Sequence, residues 1–271
     1  IGHVRYTTAG DSGLVNAQPL VFRYTGGQVS IAHNGNLVNA VQLRKELEHK
    51  GSIFQTSSDT EVVPHLIARS GPPIDSAVEK ALIRIEGAYA LLFMTEKQMI
   101  AAQDPHGFRP LSLGQFENAW IVSSETCALE TIGANFVREI KPGELFVFDD
   151  DGMHIRSFVK ADPRRICSFE YIYFARPDSE VDGISVHSVR KELGRQLCRE
   201  SHVESDIVVG VPDSGLAAAI GYAEESGLPY ELGMMKNRYV GRTFIQPNQA
   251  LRQRGVRMKL SVVRHAVEGK R

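Results

Sequence analysis

Five short stretches of this sequence combine residue types that can do chemistry. In residues 2–10, GHVRYTTAG, Arg5 offers a planar guanidinium that can clasp a carboxylate through two hydrogen bonds. In residues 32–36, AHNGN, Asn34 carries a side-chain amide and Gly35 a bare backbone N–H. Two such donors fixed at a strand end can stabilise an oxyanion. In residues 56–61, TSSDTE, Asp59 can accept from an ammonium group. Residues 208–220, VVGVPDSGLAAAI, pass from an apolar strand through Asp213, Ser214 and Gly215 into a helix, whose first N–H groups form an anion site. Residues 236–244, KNRYVGRTF, interleave Lys236, Arg238 and Arg242 with Tyr239 and Gly241, the make-up of a mobile phosphate-binding lid.

Each stretch also has a plainer reading. Arg5 is a surface arginine, and Asn34-Gly35 is a type I′ hairpin turn. Asp59 complements a helix dipole, Asp213 or Ser214 caps a helix, and 236–244 is a solvated loop. A hairpin needs a second strand straight after its turn, whereas the pattern after Asn36 is helical, which weakens the turn reading. No one stretch decides alone. A guanidinium for a carboxylate, an acid for an ammonium and an oxyanion hole together suit one ligand, an amino acid whose side-chain carbonyl is attacked. Glutamine fits.

The elements that must hold these residues can be read from periodicity. Residues 28–32 read as a strand. Helices are expected over 39–50, 58–69 and 76–86, the first two opening on capping-box pairs, Asn39 with Gln42 and Ser58 with Glu61. Strands follow at 88–94, 98–104, 120–125 and 144–150. Helices followed by strands suggest a layered α+β domain. The texture changes near Asp162, which gives a domain over 1–161 and a second over 162–271. The second opens on a helix, 185–200, and then alternates strand (206–211), loop, helix and strand, an α/β βαβ unit.

The 271 residues are 42% hydrophobic and 23% charged, ordinary for a globular protein. No apolar run is long enough for a membrane span. Cys127, Cys167 and Cys198 lie far apart and form no disulfide framework, which fits a reducing, cytoplasmic setting. Residues 236–271 hold ten Lys and Arg against the single acid Glu268, so the tail wants an anionic partner. With only Tyr239 and Phe244 as stacking aromatics and no nucleic-acid module, nucleic acid ranks low as that partner. The chain opens on Ile1-Gly2-His3 and closes on a charged VEGKR, so a sequence cut at both ends is expected.

IGHVRYTTAG, AHNGNLVNA, GSIFQTSSDTEV, SFEYIYFARPDS and MKNRYVGRTFIQP together resemble the amidophosphoribosyltransferases almost end to end. The resemblance implies a partial N-terminal-nucleophile (Ntn) αββα glutaminase domain followed by a partial type I phosphoribosyltransferase domain. It implies that ammonia released from glutamine displaces pyrophosphate from phosphoribosylpyrophosphate with Mg²⁺ present. The product is 5-phosphoribosylamine, at the first step of purine synthesis, in a cytoplasmic homo-oligomer inhibited by purine nucleotides. By motif, Arg5 holds the glutamine carboxylate, Asp59 its ammonium, and Asn34 and Gly35 form the oxyanion hole. Asp213 and Ser214 lie in the pyrophosphate loop, with Ser214 on Mg²⁺. Lys236, Arg238 and Tyr239 belong to the loop that closes over phosphoribosylpyrophosphate. Cys167 matches a ligand of the 4Fe–4S cluster found in a branch of the family. The family nucleophile is an N-terminal Cys, which none of the three cysteines replaces, so the chain by itself is expected to be inactive. Two rivals stand beside this reading: another class II glutamine amidotransferase, and a non-catalytic nucleotide-binding regulator with the same fold.

Overall fold

The computed structural model describes residues 1–4, 11, 13–241 and 248–271, and the chain divides into two units, Ile1–Ser168 and Phe169–Arg271. The first unit runs a few residues past the boundary expected from texture, for a local reason. Asp162, Arg165 and Cys167 donate their backbone N–H groups to the carbonyls of Pro105, His106 and Phe108, which stitches this segment to the first unit.

The first unit comprises β1 (Leu20–Tyr24), β2 (Gly27–Leu37), α1 (Ala40–His49), α2 (Val62–Ser70), α3 (Ile74–Arg84), β3 (Gly87–Met94), β4 (Met99–Gln103), β5 (Ser112–Phe116), β6 (Ala119–Ser123), α4 (Thr126–Thr131), β7 (Asn135–Glu139), β8 (Glu144–Asp149) and β9 (Gly152–Ser157). A six-stranded antiparallel sheet runs in the order β1-β2-β3-β4-β8-β9, and a three-stranded one in the order β6-β5-β7. Side chains alternate between the faces of a strand. Ile31, Leu91, Phe93, Ile100, Leu145 and Val147 therefore share one face of the larger sheet and pack with Leu47 of α1, Ile67 of α2 and Leu82 of α3. Ala90, Ala101 and Phe146 lie on the opposite face and meet Leu111, Leu113 and Ile140, with Trp120 and Val122 of the smaller sheet against them. Leu129 of α4 sits over Gly114 of β5 on the smaller sheet. The layers are helix, sheet, sheet, helix, the αββα sandwich expected of an Ntn fold.

Neither capping box expected from the sequence forms as a reciprocal pair. Asn39 makes no side-chain cap to α1. Its Nδ2 donates to the Arg84 carbonyl (3.0 Å), and its Oδ1 accepts from Glu86 N (3.0 Å). The start of α1 is thereby tied to the chain that enters β3.

The second unit comprises β10 (Glu180–Val181), β11 (Ile184–Ser185), α5 (Val186–Glu200), β12 (Val208–Val209), α6 (Leu216–Ser226), β13 (Tyr230–Glu231), β14 (Met234–Lys236), α7 (Gln249–Lys259) and β15 (Leu260–Val262). The strand expected over 206–211 shortens to two residues, which pair in parallel with β13 around α6, giving the expected βαβ order. Ser185 caps α5 by accepting from Ser188 N. Helices α5 and α6 approach closely because glycines line the crossing: a Cβ on Gly221 would lie 1.8 Å from the Lys191 carbonyl oxygen. Among the described residues no helix is long and apolar enough to cross a membrane.

Candidate functional site

His33-Asn34-Gly35-Asn36 is not a turn. Strand β2 runs straight through it to Leu37, pairing Asn34 with Ala90, Gly35 with Tyr89 and Leu37 with Gly87. The hairpin reading therefore falls, and so does the expected strand end at Ala32.

The backbone of Gly35 points away from this ladder. Tyr89 turns its own N–H and carbonyl to Asp104: Tyr89 N donates to Asp104 Oδ2 (3.2 Å) and Asp104 N donates to the Tyr89 carbonyl (2.9 Å). Gly35–Tyr89 is thus a non-hydrogen-bonded pair, and the Gly35 N–H faces the opposite edge of β2. Strand β1 pairs only as far as Ile31, so among the described residues no strand pairs with that edge beyond it. The N–H groups on either side of Gly35 are taken by side chains: His33 N donates to Gln18 Oε1 (2.7 Å) and Leu37 N to Asp59 Oδ2 (2.8 Å). Gly35 N–H stands between them with no acceptor among the described residues. A Cβ at Gly35 would lie 1.9 Å from the Ala88 carbonyl oxygen, and its φ of +148° favours glycine as well. Asn34, half-buried, has no hydrogen bond to its amide among the described residues.

Asp59 opens a 3₁₀ turn, Asp59–Glu61, that leads into α2. Ser58 caps it, accepting from Thr60 N, in keeping with its place in the sequence pattern. Glu61 does not complete a capping box. Its fully buried carboxylate instead accepts from Gln55 N, Thr56 N and the Thr56 hydroxyl, each at 2.7 Å.

His33 escaped the sequence reading. Its buried ring places Nδ1 3.0 Å from Thr60 Oγ1 and 4.0 Å from Asp59 Oδ2. Burial pushes its pKa below the ordinary histidine value, outweighing the upward pull of Asp59, so the ring is neutral. The only sequence signal was a polar residue on the buried parity of an apolar strand. Arg5 lies outside the described residues.

Beside the end of β2, a cavity of about 660 Å³ is lined by Asn36, Gly87, Ala88, His106, Arg109 and Cys167. Cys127 lies in α4 of the first unit and Cys198 in α5 of the second, both buried. Among the described residues no group of three or more His, Cys, Asp or Glu could hold a metal ion.

In the second unit the structure brings Asp213 and Lys236 into an ion pair, joining the loop before α6 to the end of β14. Neither Asp213 nor Ser214 caps α6 through its side chain, so the plain capping reading fails. Ser214 is exposed beside Asp213. Arg238 and Tyr239 form an exposed turn straight after β14, Tyr239 with its whole side chain in solvent. Arg242 lies outside the described residues.

Residues 4–131 match a family described as "Glutamine amidotransferase domain". Over its whole length the chain is 60% identical to the amidophosphoribosyltransferase of Bacillus subtilis (strain 168), covering 57% of that protein. It is 48% identical to that of Archaeoglobus fulgidus, covering 60% of it. The chain is thus similar to the amidophosphoribosyltransferases along its whole length. A solved structure of glutamine phosphoribosylpyrophosphate amidotransferase from B. subtilis, complexed with ADP and GMP, superposes with a TM-score of 0.90 at 59% identity, covering 99% of this chain and 59% of that one. The chain therefore spans somewhat over half the length of the amidophosphoribosyltransferases it matches.

Proposed function

We propose that the full-length protein makes 5-phosphoribosylamine from glutamine and phosphoribosylpyrophosphate, the first step of purine synthesis. Its two halves are a glutaminase over 1–161 and a phosphoribosyltransferase from 162 onward. The observation that carries this reading is the Gly35 N–H, held on a strand edge between two neighbours fixed by Gln18 and Asp59.

In this reading the side-chain amide of glutamine lies along that edge. Attack on its carbonyl carbon drives the π electrons onto oxygen. The Gly35 N–H and the Asn34 amide then donate to the oxyanion, and collapse of the intermediate expels ammonia. Pre-fixed donors do this without reorganisation at the moment of reaction. Asp59, anchored through Leu37 N, accepts from the α-ammonium, and Arg5 takes the α-carboxylate. Cys127 and Cys198 are buried in α4 and α5, Cys167 lines the cavity beside the end of β2, and none is an N-terminal cysteine, the residue to which the resemblance assigns the attack.

In the second half, Lys236, Arg238 and Tyr239 close over the phosphates of phosphoribosylpyrophosphate, and Asp213 releases Lys236 to them. Asp213 and Ser214 offer exposed oxygen donors, which suit an ion that keeps most of its ligands as water and substrate phosphate. Bound there, Mg²⁺ would neutralise charge on the departing pyrophosphate. A 4Fe–4S cluster takes four thiolates, and Cys167 is one, so the residues described do not hold it by themselves. The protein is read as a cytoplasmic homo-oligomer inhibited by purine nucleotides and without affinity for nucleic acid.

The test is direct. Full-length protein given phosphoribosylpyrophosphate, Mg²⁺ and glutamine should release glutamate and pyrophosphate in equal amounts, and ammonia should replace glutamine. Glutamate release with no dependence of pyrophosphate on glutamine or ammonia would point instead to another amidotransferase. No turnover at all would favour the non-catalytic regulator.

A further inference from the structure

A buried carboxylate is costly unless its charge is met by hydrogen bonds. Glu61 is 0% exposed, and among the described residues no lysine or arginine reaches it. The nearest base is His65, whose Nε2 lies 3.7 Å away and whose own pKa is lowered by burial. The charge is met instead by the three 2.7 Å bonds from Gln55 N, Thr56 N and the Thr56 hydroxyl. These are short, charge-assisted bonds, and all three go to the turn that delivers Asp59.

The direction of the next bonds is thereby set. The Thr56 hydroxyl gives its proton to Glu61, so its oxygen must accept, and it does so from Ser58 N at 3.1 Å. Ser58 Oγ in turn accepts from Thr60 N at 3.3 Å. From outside, Arg44 Nη1 donates to the Thr56 carbonyl at 2.9 Å. Residues 55–60 are thus folded around Glu61, and the Asp59 side chain leaves this turn toward Leu37 N. Asn16 holds the intervening Ser57, accepting from Ser57 N (3.1 Å) and donating to Ser57 Oγ (2.9 Å), while the bonds made by Gln55, Thr56 and Ser58 lead back to the Glu61 carboxylate.

We infer that Glu61 is a positioning residue: it sets the Asp59 carboxylate for the α-ammonium of the substrate without touching the substrate. This rests on the reading of Asp59 given above, and it gives Glu61 a part in specificity rather than in bond breaking.

The probe is a pair of substrates for the full-length protein: glutamine, and 4-carbamoylbutanoate, which is glutamine without its α-ammonium. The readout is the ratio of their kcat/KM values, which reports how well the ammonium is held. Glu61→Gln keeps the side-chain shape but turns an amide N–H₂ toward backbone donors. It should lower the ratio about tenfold, the cost of losing one well-placed charged hydrogen bond, chiefly through a higher KM for glutamine. Thr56→Val, which removes only the hydroxyl link, should lower it in the same direction and serves if Glu61→Gln does not fold. A merely structural role would lower both substrates equally and leave the ratio alone. An unchanged ratio in the variants that fold, with Asp59→Asn still lowering it, overturns this inference and spares the reading of Asp59. An unchanged ratio in Asp59→Asn overturns both.

Discussion

At Gly35 a side chain is forbidden by a neighbouring carbonyl, and the backbone N–H is left without a partner among the described residues where its two neighbours have one. The Asn34 amide stands beside it. If these are the donors to the oxyanion, Asn34→Ala in the full-length protein should lower kcat for glutamine about 100-fold with little change in KM, since the bond strengthens only as charge develops. Steady-state kinetics on glutamine checks this. His33, neutral and packed against Thr60 and Asp59, makes a second testable point. Its folded pKa is lowered, so the unfolded chain binds the proton more readily. Stability is then complete above the unfolded value near 6.5 and is lost as pH falls below it. Between about pH 7.5 and about pH 5.5 the wild-type chain should lose more stability than His33→Asn. Urea unfolding followed by fluorescence of Trp120, the chain's single tryptophan, measures this in the first unit.

At the scale of elements, the close crossing of α5 and α6 depends on glycine. Gly221→Ala would drive its Cβ into the Lys191 carbonyl and should destabilise the second unit by about 2 kcal/mol, read as lost hydrogen-exchange protection in both helices. These helices were legible in the sequence, as were β3, β4 and β8, because runs such as AYALLFM are buried on most sides. Strands β5, β7 and β9 were not. Nearly all of β9 is exposed, and β7 shows Phe136 and Val137 to solvent, so neither carries an apolar pattern. The continuation of β2 was hidden for a different reason. HNGN is locally turn-like, and what holds it extended is distant: the β3 ladder, Gln18 and Asp59. Glu61 was visible as an acid at capping spacing, but its true partners lie upstream of the helix rather than at its cap. Spacing along a chain shows that a bond can form; the fold decides which one does.

At the scale of the molecule, if the two units carry the two proposed chemistries, their residues should separate by substrate. Lys236 sits with Asp213 in the second unit. Lys236→Ala should weaken the use of phosphoribosylpyrophosphate about tenfold or more, and should do so equally whether glutamine or ammonia supplies the nitrogen. Paired assays at saturating nitrogen donor check that equality. Residues of the glutamine site should behave oppositely. In the full-length protein, Asp59→Ala is the most direct test that the edge of β2 at Gly35 is where glutamine is bound and cleaved. Glutamine-dependent synthesis should fall about 100-fold while ammonia-dependent synthesis proceeds as in the wild type. A parallel fall in both activities, or undiminished use of glutamine, would contradict that assignment.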